Sequence, residues 1–189
     1  MLTDALVFLK NSLNAHLSMG KPHDSQEDPV VFLTGQMTDS LSFKLGAVSL
    51  VLINLEQDNV LRAPDLYQRT LPDGTTQRAQ PEIRLNLYVL FVANYQQYED
   101  SLRNLSIVIQ YFQNHRLVTH QNAPELSDNI QQLVIELITL PFSEQNEIWG
   151  TLRSHYHPSA LYKVKMVVFQ SDADASAPDV QEKAIQVSQ

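Results

Sequence analysis

Cysteine is absent from this 189-residue sequence, which excludes disulfides and thiolate chemistry. Its five glycines stand apart, at positions 20, 35, 46, 74 and 150, so neither common glycine-rich phosphate-binding loop is present. No apolar run approaches the roughly 18 residues that a membrane-spanning helix needs. The first residues also lack the basic-then-apolar layout of a signal peptide. We therefore expect synthesis and folding in the cytoplasm, without direct insertion into a membrane.

Positive charge is scarce as well. The chain carries 13 Lys and Arg against 21 Asp and Glu, for a net charge of −8. Binding to a nucleic-acid backbone requires clustered basic residues, so we expect no nucleic-acid partner.

The length suits one well-buried domain, but the end of the chain, rich in Ser, Ala, Asp and Gln, cannot form a core. We predict one domain over residues 1–170 and a flexible tail over residues 171–189.

The strongest pattern in the chain covers residues 83–115. Apolar residues first alternate, which is typical of a strand with one buried face: Ile83, Leu85, Leu87, Val89 and Phe91. The other face of this strand turns apolar at Leu90 and Val92, so we expect its far end to be covered on both sides. Apolar residues then recur at helical spacing, which predicts an amphipathic helix: Tyr98, Leu102, Leu105, Ile109 and Phe112.

The remaining pattern predicts two further helices and four further strands. An opening helix is expected with Thr3 as its N-cap, an apolar stripe that reaches Leu17 and an end at Met19-Gly20. A short helix is expected after Pro141, with Ser143 as its N-cap. Strands are expected over residues 30–33, 45–55, 130–140 and 159–170, and the second of these is apolar on both faces and hence interior. The fold class is therefore α/β (α+β), with a mixed, mostly antiparallel sheet of about five strands and about three helices.

Residues 56–82 interrupt this pattern. The segment contains three prolines and an Asp73-Gly74 pair that could close a small hairpin. It has few large apolar residues, so we expect it to stand off the core, where long loops usually carry binding. Arg62, Tyr67 and Arg69 are its candidate contact residues, and Tyr88 on the following strand is another. Ordinary solvation is the alternative for such residues.

Two closely spaced histidines are candidate metal ligands. His155 and His157 lie two residues apart, and a metal site would need a third ligand such as His120 or Glu136. Zinc sites show much clearer ligand spacing, so we interpret this stretch as a solvated loop before Pro158. No metal site and no cofactor are predicted.

Catalytic groups are equally hard to find. Ser106 lacks the flanking glycines of a hydrolase nucleophile. Glu136 sits in a predicted strand, where an ion pair with Lys163 or Lys165 is favoured over a buried carboxylate of raised pKa. Trp149, the single tryptophan, is interpreted as a core anchor rather than as an interface hot spot. We predict no catalytic residue and no enzymatic activity.

Several segments, taken in order, resemble a known family. They are ALVFLKNSLN at 5–14, LINLEQD at 52–58, LR at 61–62, LNLYVLFVANY at 85–95, YE at 98–99, VTHQNAPEL at 118–126, WG at 149–150 and PSALYK at 158–163. Their order and spacing resemble the DUF4255 family, the tail-terminator or cap proteins of extracellular contractile injection systems, which are phage-tail-like particles similar to the antifeeding prophage. The likeness extends to about residue 168.

This resemblance implies structural work. Such proteins form a hexameric ring at the distal end of the inner tube and the contractile sheath, stop their polymerisation and hold them together there. The implied partners are the chain itself, the sheath protein and the tube protein, in a particle that can be released outside the cell. The implied fold is that of phage tail terminators. A baseplate or adaptor component of the same particle is the alternative, and a small metal-dependent enzyme is a more remote one.

The resemblance also bears on a second connector, residues 116–128. It contains His120, Gln121 and Asn122, which the family pattern shares. Polar side chains in a loop either bind a partner or satisfy the backbone groups of the loop itself, and both interpretations stay open for these three. The predicted partner-binding residues are thus Arg62, Tyr67, Arg69, His120, Gln121 and Asn122.

Overall fold

The structure is a computed structural model that describes residues 1–19, 27–33, 42–58, 69–70, 76–77 and 83–168. Within these ranges there are three helices: α1 (Leu2–Ser18), α2 (Tyr98–Asn114) and α3 (Phe142–Leu152). The strands are β1 (Val30–Phe32), β2 (Ala47–Gln57), β3 (Arg69–Thr70), β4 (Thr76–Gln77), β5 (Ile83–Asn94), β6 (Leu117–Thr119), β7 (Ile130–Ile138) and β8 (Ser159–Val168). The predicted tail, residues 171–189, lies outside the described residues.

Six of these strands form one sheet in the order β1-β2-β5-β8-β7-β6. The pair β1–β2 is parallel, and every other neighbouring pair in this sheet is antiparallel. The prediction of a mixed, mostly antiparallel sheet with three helices is confirmed, with six strands where about five were expected. The predicted interior strand is β2, which lies between β1 and β5.

One face of the sheet carries the larger core. We call it the α1/α2 face, because both of these helices pack on it. The buried side chains of α1 and α2 that contribute to this core include Leu9, Leu13, Leu105, Val108 and Phe112. At its centre the ring of Phe91 lies 5.3 Å from that of Phe112 and 5.7 Å from that of Tyr162, measured between centroids. These rings hold α2 on the middle of the sheet.

The opposite face, which we call the α3 face, carries a smaller core. Trp149 and Leu152 of α3 pack there with Leu90, Val92 and Leu161 of the sheet. Leu90 and Val92 are the residues whose apolar character predicted a second covering layer over the far end of β5. That prediction is confirmed, because β5 is buried from both sides along this part of its length.

The predicted apolar stripe of α2 is wrong in its first turns. Tyr98 is 64% exposed and Leu102 is 43% exposed, whereas Ser101 is buried. The Ser101 hydroxyl accepts a hydrogen bond of 3.1 Å from the backbone N–H of Tyr95, which turns this position toward the sheet. Tyr98 and Leu102 consequently face outward, and the helix joins the core only from Leu105 onward.

Two predicted helix starts are also wrong. The helix α1 has Met1 rather than Thr3 at its N-cap, and the terminal amino group of Met1 pairs with the Asp4 carboxylate. The helix α3 has Pro141 at its N-cap instead of Ser143. Proline suits a helix start because its fixed φ is compatible with the geometry there and its missing N–H removes no helical hydrogen bond.

The predicted hairpin is supported in part. The strands β3 and β4 pair in antiparallel fashion, with Arg69 opposite Gln77 and Thr70 opposite Thr76. The Asp73-Gly74 pair that was expected to close the hairpin lies outside the described residues.

None of the described helices is long and apolar enough to cross a membrane.

Candidate interaction surfaces

The sheet has two chemically different ends. At one end β2 stops, β5 begins and β8 stops, as the pairs Gln57–Leu85 and Ile83–Val168 show. The connection between β2 and β5 leaves and returns here, so we call this the excursion end. At the other end β5 and β7 stop, β8 begins, and both α2 and α3 start, so we call it the helix-start end.

The predicted contact residues of the excursion are only partly described. Arg62 and Tyr67 lie outside the described residues. Arg69 belongs to β3, whose backbone pairs with β4 apart from the six-stranded sheet. Their role in binding therefore stays a prediction.

Tyr88 takes part in a polar cluster on β5 and its neighbours. Its hydroxyl donates a hydrogen bond of 2.7 Å to Glu56 on β2, and the ammonium of Lys163 on β8 lies 5.7 Å from its ring centroid. The carboxylate of Glu56 stabilises the protonated phenol, which raises the pKa of Tyr88 above its ordinary value. This cluster ties three adjacent strands together on the α3 face of the sheet.

His120 and Asn122 are engaged with their own domain. The Nε2–H of His120 lies 2.9 Å from the carbonyl oxygen of Ile130, which accepts its hydrogen bond. Asn122 accepts a 2.8 Å hydrogen bond from the backbone N–H of Thr119 and donates another of 2.8 Å to the carbonyl of Leu117. Gln121 is exposed between them. These contacts account for two of the three polar residues without a partner protein.

We expect Asn122→Ala to lower the free energy of unfolding by about 1–3 kcal/mol, because it removes two hydrogen bonds that hold the strand β6 and its following turn. Gln121→Ala, at the exposed neighbouring position, should change the stability by no more than about 0.5 kcal/mol. Urea denaturation of the two variants measures the difference. Equal stability of both variants would show that Asn122 does not support the fold.

Glu136 forms the ion pair that its sequence position indicated. Its carboxylate accepts a hydrogen bond of 2.8 Å from the ammonium of Lys165 on the neighbouring strand. Both side chains are about half exposed, so the pair contributes little to stability. The expectation of a cross-strand ion pair is confirmed, with Lys165 rather than Lys163 as the partner.

The residues His155, Tyr156 and His157 lie in the loop between α3 and β8, as expected. His155 and Tyr156 are exposed, but the prediction of a solvated loop is wrong for His157, which is half-buried. The imidazole of His157 packs 5.4 Å from the Phe43 ring and 5.9 Å from the Trp149 ring, centroid to centroid. Among the described residues, no three His, Cys, Asp or Glu side chains are grouped so that they could hold a metal ion. Trp149 itself is buried, which confirms its interpretation as a core anchor.

The packing of His157 makes stability depend on pH. Partial burial, followed by the nearby His155, lowers the pKa of His157 below its ordinary value of 6.5. The unfolded chain then binds a proton at a higher pH than the folded chain does. Stability is fully present above about pH 6.5 and falls as the pH drops from there toward the lowered pKa.

We therefore expect the melting temperature to fall when the pH is lowered from 7.5 to 5. His157→Phe keeps an aromatic ring against Phe43 and Trp149 but cannot take up a proton, so it should show a smaller fall. Thermal melting of both proteins over this pH range measures the difference. An unchanged pH dependence in His157→Phe would contradict the assigned cause.

A groove runs beside α3 at the helix-start end. It has a volume of about 730 Å³, and its lining includes Phe142, Trp149, Arg153, His155 and Tyr156. A second groove of about 540 Å³ lies between α1 and the second connector, lined in part by Asp4, Phe8 and Glu125. Sequence reasoning missed both grooves. For the groove beside α3, one signal was available in the sequence. Phe142 follows Pro141 directly, so a large aromatic side chain stands at the start of a helix.

The family model of the Pvc16 N-terminal domain matches residues 6–183. The chain belongs to this family. Together with the two solved structures described next, this match confirms the resemblance to contractile-injection-system terminators that the sequence indicated. The matched segment continues beyond residue 170 into the predicted tail. Comparison with curated protein sequences gives no match.

Two solved structures share the fold of this Pvc16-family chain. One is the PVC sheath/tube terminator of an extracellular contractile injection system in the extended state, with a TM-score of 0.60 and 16% identity. The other is the anti-feeding prophage cap, a tube-terminating cap, with a TM-score of 0.54 and 14% identity. They confirm the terminator-like fold that was predicted.

The comparison also has a defined extent. The match to the PVC sheath/tube terminator covers 100% of this chain, and the match to the anti-feeding prophage cap covers 96% of it. It spans 64% of the terminator and 61% of the cap, so both of those proteins contain additional residues.

Proposed function

We propose that this chain is a terminator protein that ends the inner tube and the contractile sheath of a contractile injection system and holds them together at the distal end. The observation that carries the proposal is the match of the whole chain to a sheath/tube terminator, combined with membership of the Pvc16 family. The role is structural and requires neither a cofactor nor a catalytic residue. The particle assembles in the cytoplasm and can be released from the cell.

Self-association into a closed ring is part of this proposal. A tube built from stacked rings offers the same binding surface after every added layer, so it grows until a different surface covers it. A head-to-tail contact between copies that closes after six subunits provides such a cover without leaving an unpaired subunit. The partners are therefore further copies of this chain, the sheath protein and the tube protein.

The excursion between β2 and β5 is our candidate contact with tube and sheath. It connects β2 and β5 at the excursion end, opposite the end where α2 and α3 start, and it has too little apolar content to build a core of its own. Its predicted contact residues are Arg62, Tyr67 and Arg69. Arginine and tyrosine are enriched among the residues that dominate the binding energy of interfaces.

We expect Arg62→Ala combined with Tyr67→Ala to leave the melting temperature unchanged and to weaken docking to tube and sheath. The measurement pairs thermal melting of the isolated variant with sheath length in particles assembled with it. Normal melting together with overlong sheaths is the expected result. Particles of normal, uniform length would exclude these two residues from the interface, and a collapsed melting temperature would assign them to the fold.

Direct localisation tests the proposal against its alternative. The chain is produced together with the sheath, tube and baseplate proteins of the same contractile injection system, and a tag on the chain is located on the particles by cryo-electron microscopy. We expect the tag at the end distal to the baseplate. A tag at the baseplate would contradict the terminator role and support a baseplate or adaptor component instead.

A further inference from the structure

Large apolar side chains are exposed at the helix-start end of the sheet. Six residues at this end have large hydrophobic side chains that are more than 40% exposed: Leu45, Tyr98, Leu102, Leu137, Phe142 and Tyr156. Single exposed apolar residues are ordinary on protein surfaces, but their concentration in one region is typical of an interaction site. Four of them fall into two groups on opposite faces of the sheet.

The first group is a ridge on α2. It consists of Tyr98 and Leu102, which lie four residues apart and therefore on the same side of the helix. Glu99 is exposed beside Tyr98 and makes no ion pair with any described residue, whereas the neighbouring Asp100 is already paired with Arg103 at 2.9 Å. The α2 ridge thus presents an aromatic ring, an aliphatic side chain and one free carboxylate.

The second group is the groove beside α3, on the other face of the sheet. Phe142, 90% exposed, and Tyr156, 61% exposed, contribute apolar surface to it, and the buried Trp149 also lines it. Arg153 contributes a guanidinium group to it, and His155 is its other basic side chain. None of the described residues that line the groove is acidic. Arg153 is exposed and has no ion pair within the described part of the chain.

The backbone around Arg153 is unusual as well. Arg153 ends α3 in the left-handed conformation, with a φ of 49°, where glycine is the ordinary residue. Among the described residues, it is the one non-glycine position with a positive φ. A residue that disfavours this conformation is tolerated there, and strained positions of this kind are common at functional sites.

We propose that the α2 ridge of one copy of this chain docks into the α3 groove of the next copy. Tyr98 and Leu102 enter the apolar part of the groove, and the free carboxylate of Glu99 meets the free guanidinium of Arg153. A groove of about 730 Å³ is in the range of clefts that enclose drug-sized ligands, so it has room for two large side chains. The complementary charges fix which surface meets which.

The position of the two surfaces determines the type of assembly. The ridge lies on the α1/α2 face and the groove on the α3 face, so one copy can offer its ridge to one neighbour and its groove to another. Such a contact is heterologous, and a heterologous contact forms a ring when the rotation between copies closes. The closure of that ring rests on the proposed function. The two surfaces that make the contact are the α2 ridge and the α3 groove.

Mixing two variants tests this head-to-tail contact. Tyr98→Asp disables the ridge and Phe142→Asp disables the groove, and both positions are exposed, so neither variant should melt at a lower temperature. The mass of each purified chain is measured by light scattering and sedimentation. We expect the unmodified chain to form closed assemblies at high concentration, each variant alone to stay monomeric, and an equal mixture to form dimers and nothing larger.

The dimer in the mixture is the decisive species, because the intact groove of one variant can still accept the intact ridge of the other. A mixture that stays monomeric would overturn the proposal, and so would an unmodified chain that stays monomeric at the highest concentration. Variants that assemble like the unmodified chain would also overturn it. Leu117→Asp, at an exposed apolar position on β6 outside both surfaces, is the matched control and should assemble normally.

A charge exchange tests the pairing of Glu99 with Arg153. Glu99→Arg and Arg153→Glu should each shift self-association to higher concentration by about tenfold or more. The chain that carries both changes should recover, because the exchanged charges meet again. A double variant as weak as the single variants would refute this pair.

These experiments separate the contact from the proposed function. Self-association is measured on the purified chain, whereas the terminator role is measured on particles. If the variants assemble normally while omission of the chain still leaves sheaths overlong, then the terminator role stands and the ridge-to-groove contact is wrong. If the contact is found and the chain has no effect on sheath length, then the terminator role is wrong.

Discussion

Leu105→Asp is expected to unfold the domain. Leu105 is 8% exposed in the core between α2 and the sheet, next to Val108 and Phe112 of the same helix. An unpaired carboxylate at such a site costs about 3–5 kcal/mol, in addition to the lost apolar packing. Native domains are stable by only about 5–15 kcal/mol in total, so most of the margin is removed.

The matched control lies three residues earlier on the same helix. Leu102 has the same side chain, and it belonged to the apolar stripe that the sequence predicted, but it is 43% exposed. Leu102→Asp should change the free energy of unfolding by about 0.5 kcal/mol or less. Circular dichroism and urea denaturation of the two variants measure this contrast. Equal destabilisation would show that α2 is rotated about its axis, with Leu102 turned toward the sheet.

Trp149→Ala is the second change with a large expected effect. Trp149 is buried in the smaller core on the α3 face and lies 5.9 Å from the Phe43 ring, centroid to centroid. Replacement of a buried tryptophan by alanine costs about 3–5 kcal/mol. For a domain of this size, the melting temperature should fall by on the order of 10 °C. Thermal melting monitored by circular dichroism measures the fall.

Phe142→Ala is the control for that result. Phe142 is on the same helix and is aromatic, but it is 90% exposed. Its replacement should leave the melting temperature within about 2 °C of the unmodified chain. If Trp149→Ala melted like Phe142→Ala, the smaller core would contribute nothing to stability, and α3 would be held to the sheet by other contacts.

The central strand shows how far the sequence could predict the fold. The alternation along β5 predicted its buried face, and the apolar pair Leu90 and Val92 predicted a second layer over the same strand. Both signals are local, since the period of two follows from the geometry of a strand. The order of the strands depends on contacts between distant segments, and no periodicity within one segment contains that information.

The error in α2 has a specific physical cause. Tyr98 and Leu102 continue the apolar spacing of Leu105, so the sequence alone favoured one continuous stripe. The structure places the small polar Ser101 against the sheet, where its hydroxyl satisfies the backbone N–H of Tyr95. A hydrogen bond between a helix side chain and a backbone group that precedes the helix cannot be detected from hydrophobic periodicity. The two apolar residues left outside then form the α2 ridge.

Of the candidate surfaces, one was predicted from the sequence and another was missed. The connector with His120, Gln121 and Asn122 was identified from its sequence, but its hydrogen bonds to the backbone of the same domain appear only in three dimensions. The α3 groove was missed, because it combines a helix with a loop whose residues show no common pattern. A groove is a property of the packed chain, and its lining residues need not be spaced regularly in sequence.

The length of the sheath is the most direct measure of the terminator role. Particles are assembled from the sheath, tube and baseplate proteins of the same contractile injection system, with the chain present or omitted, and sheath lengths are measured in electron micrographs. A narrow length distribution with the chain present, and a broad distribution of longer, uncapped sheaths without it, is the predicted result. The same narrow distribution in both preparations would contradict the proposal that this chain ends the tube and the sheath.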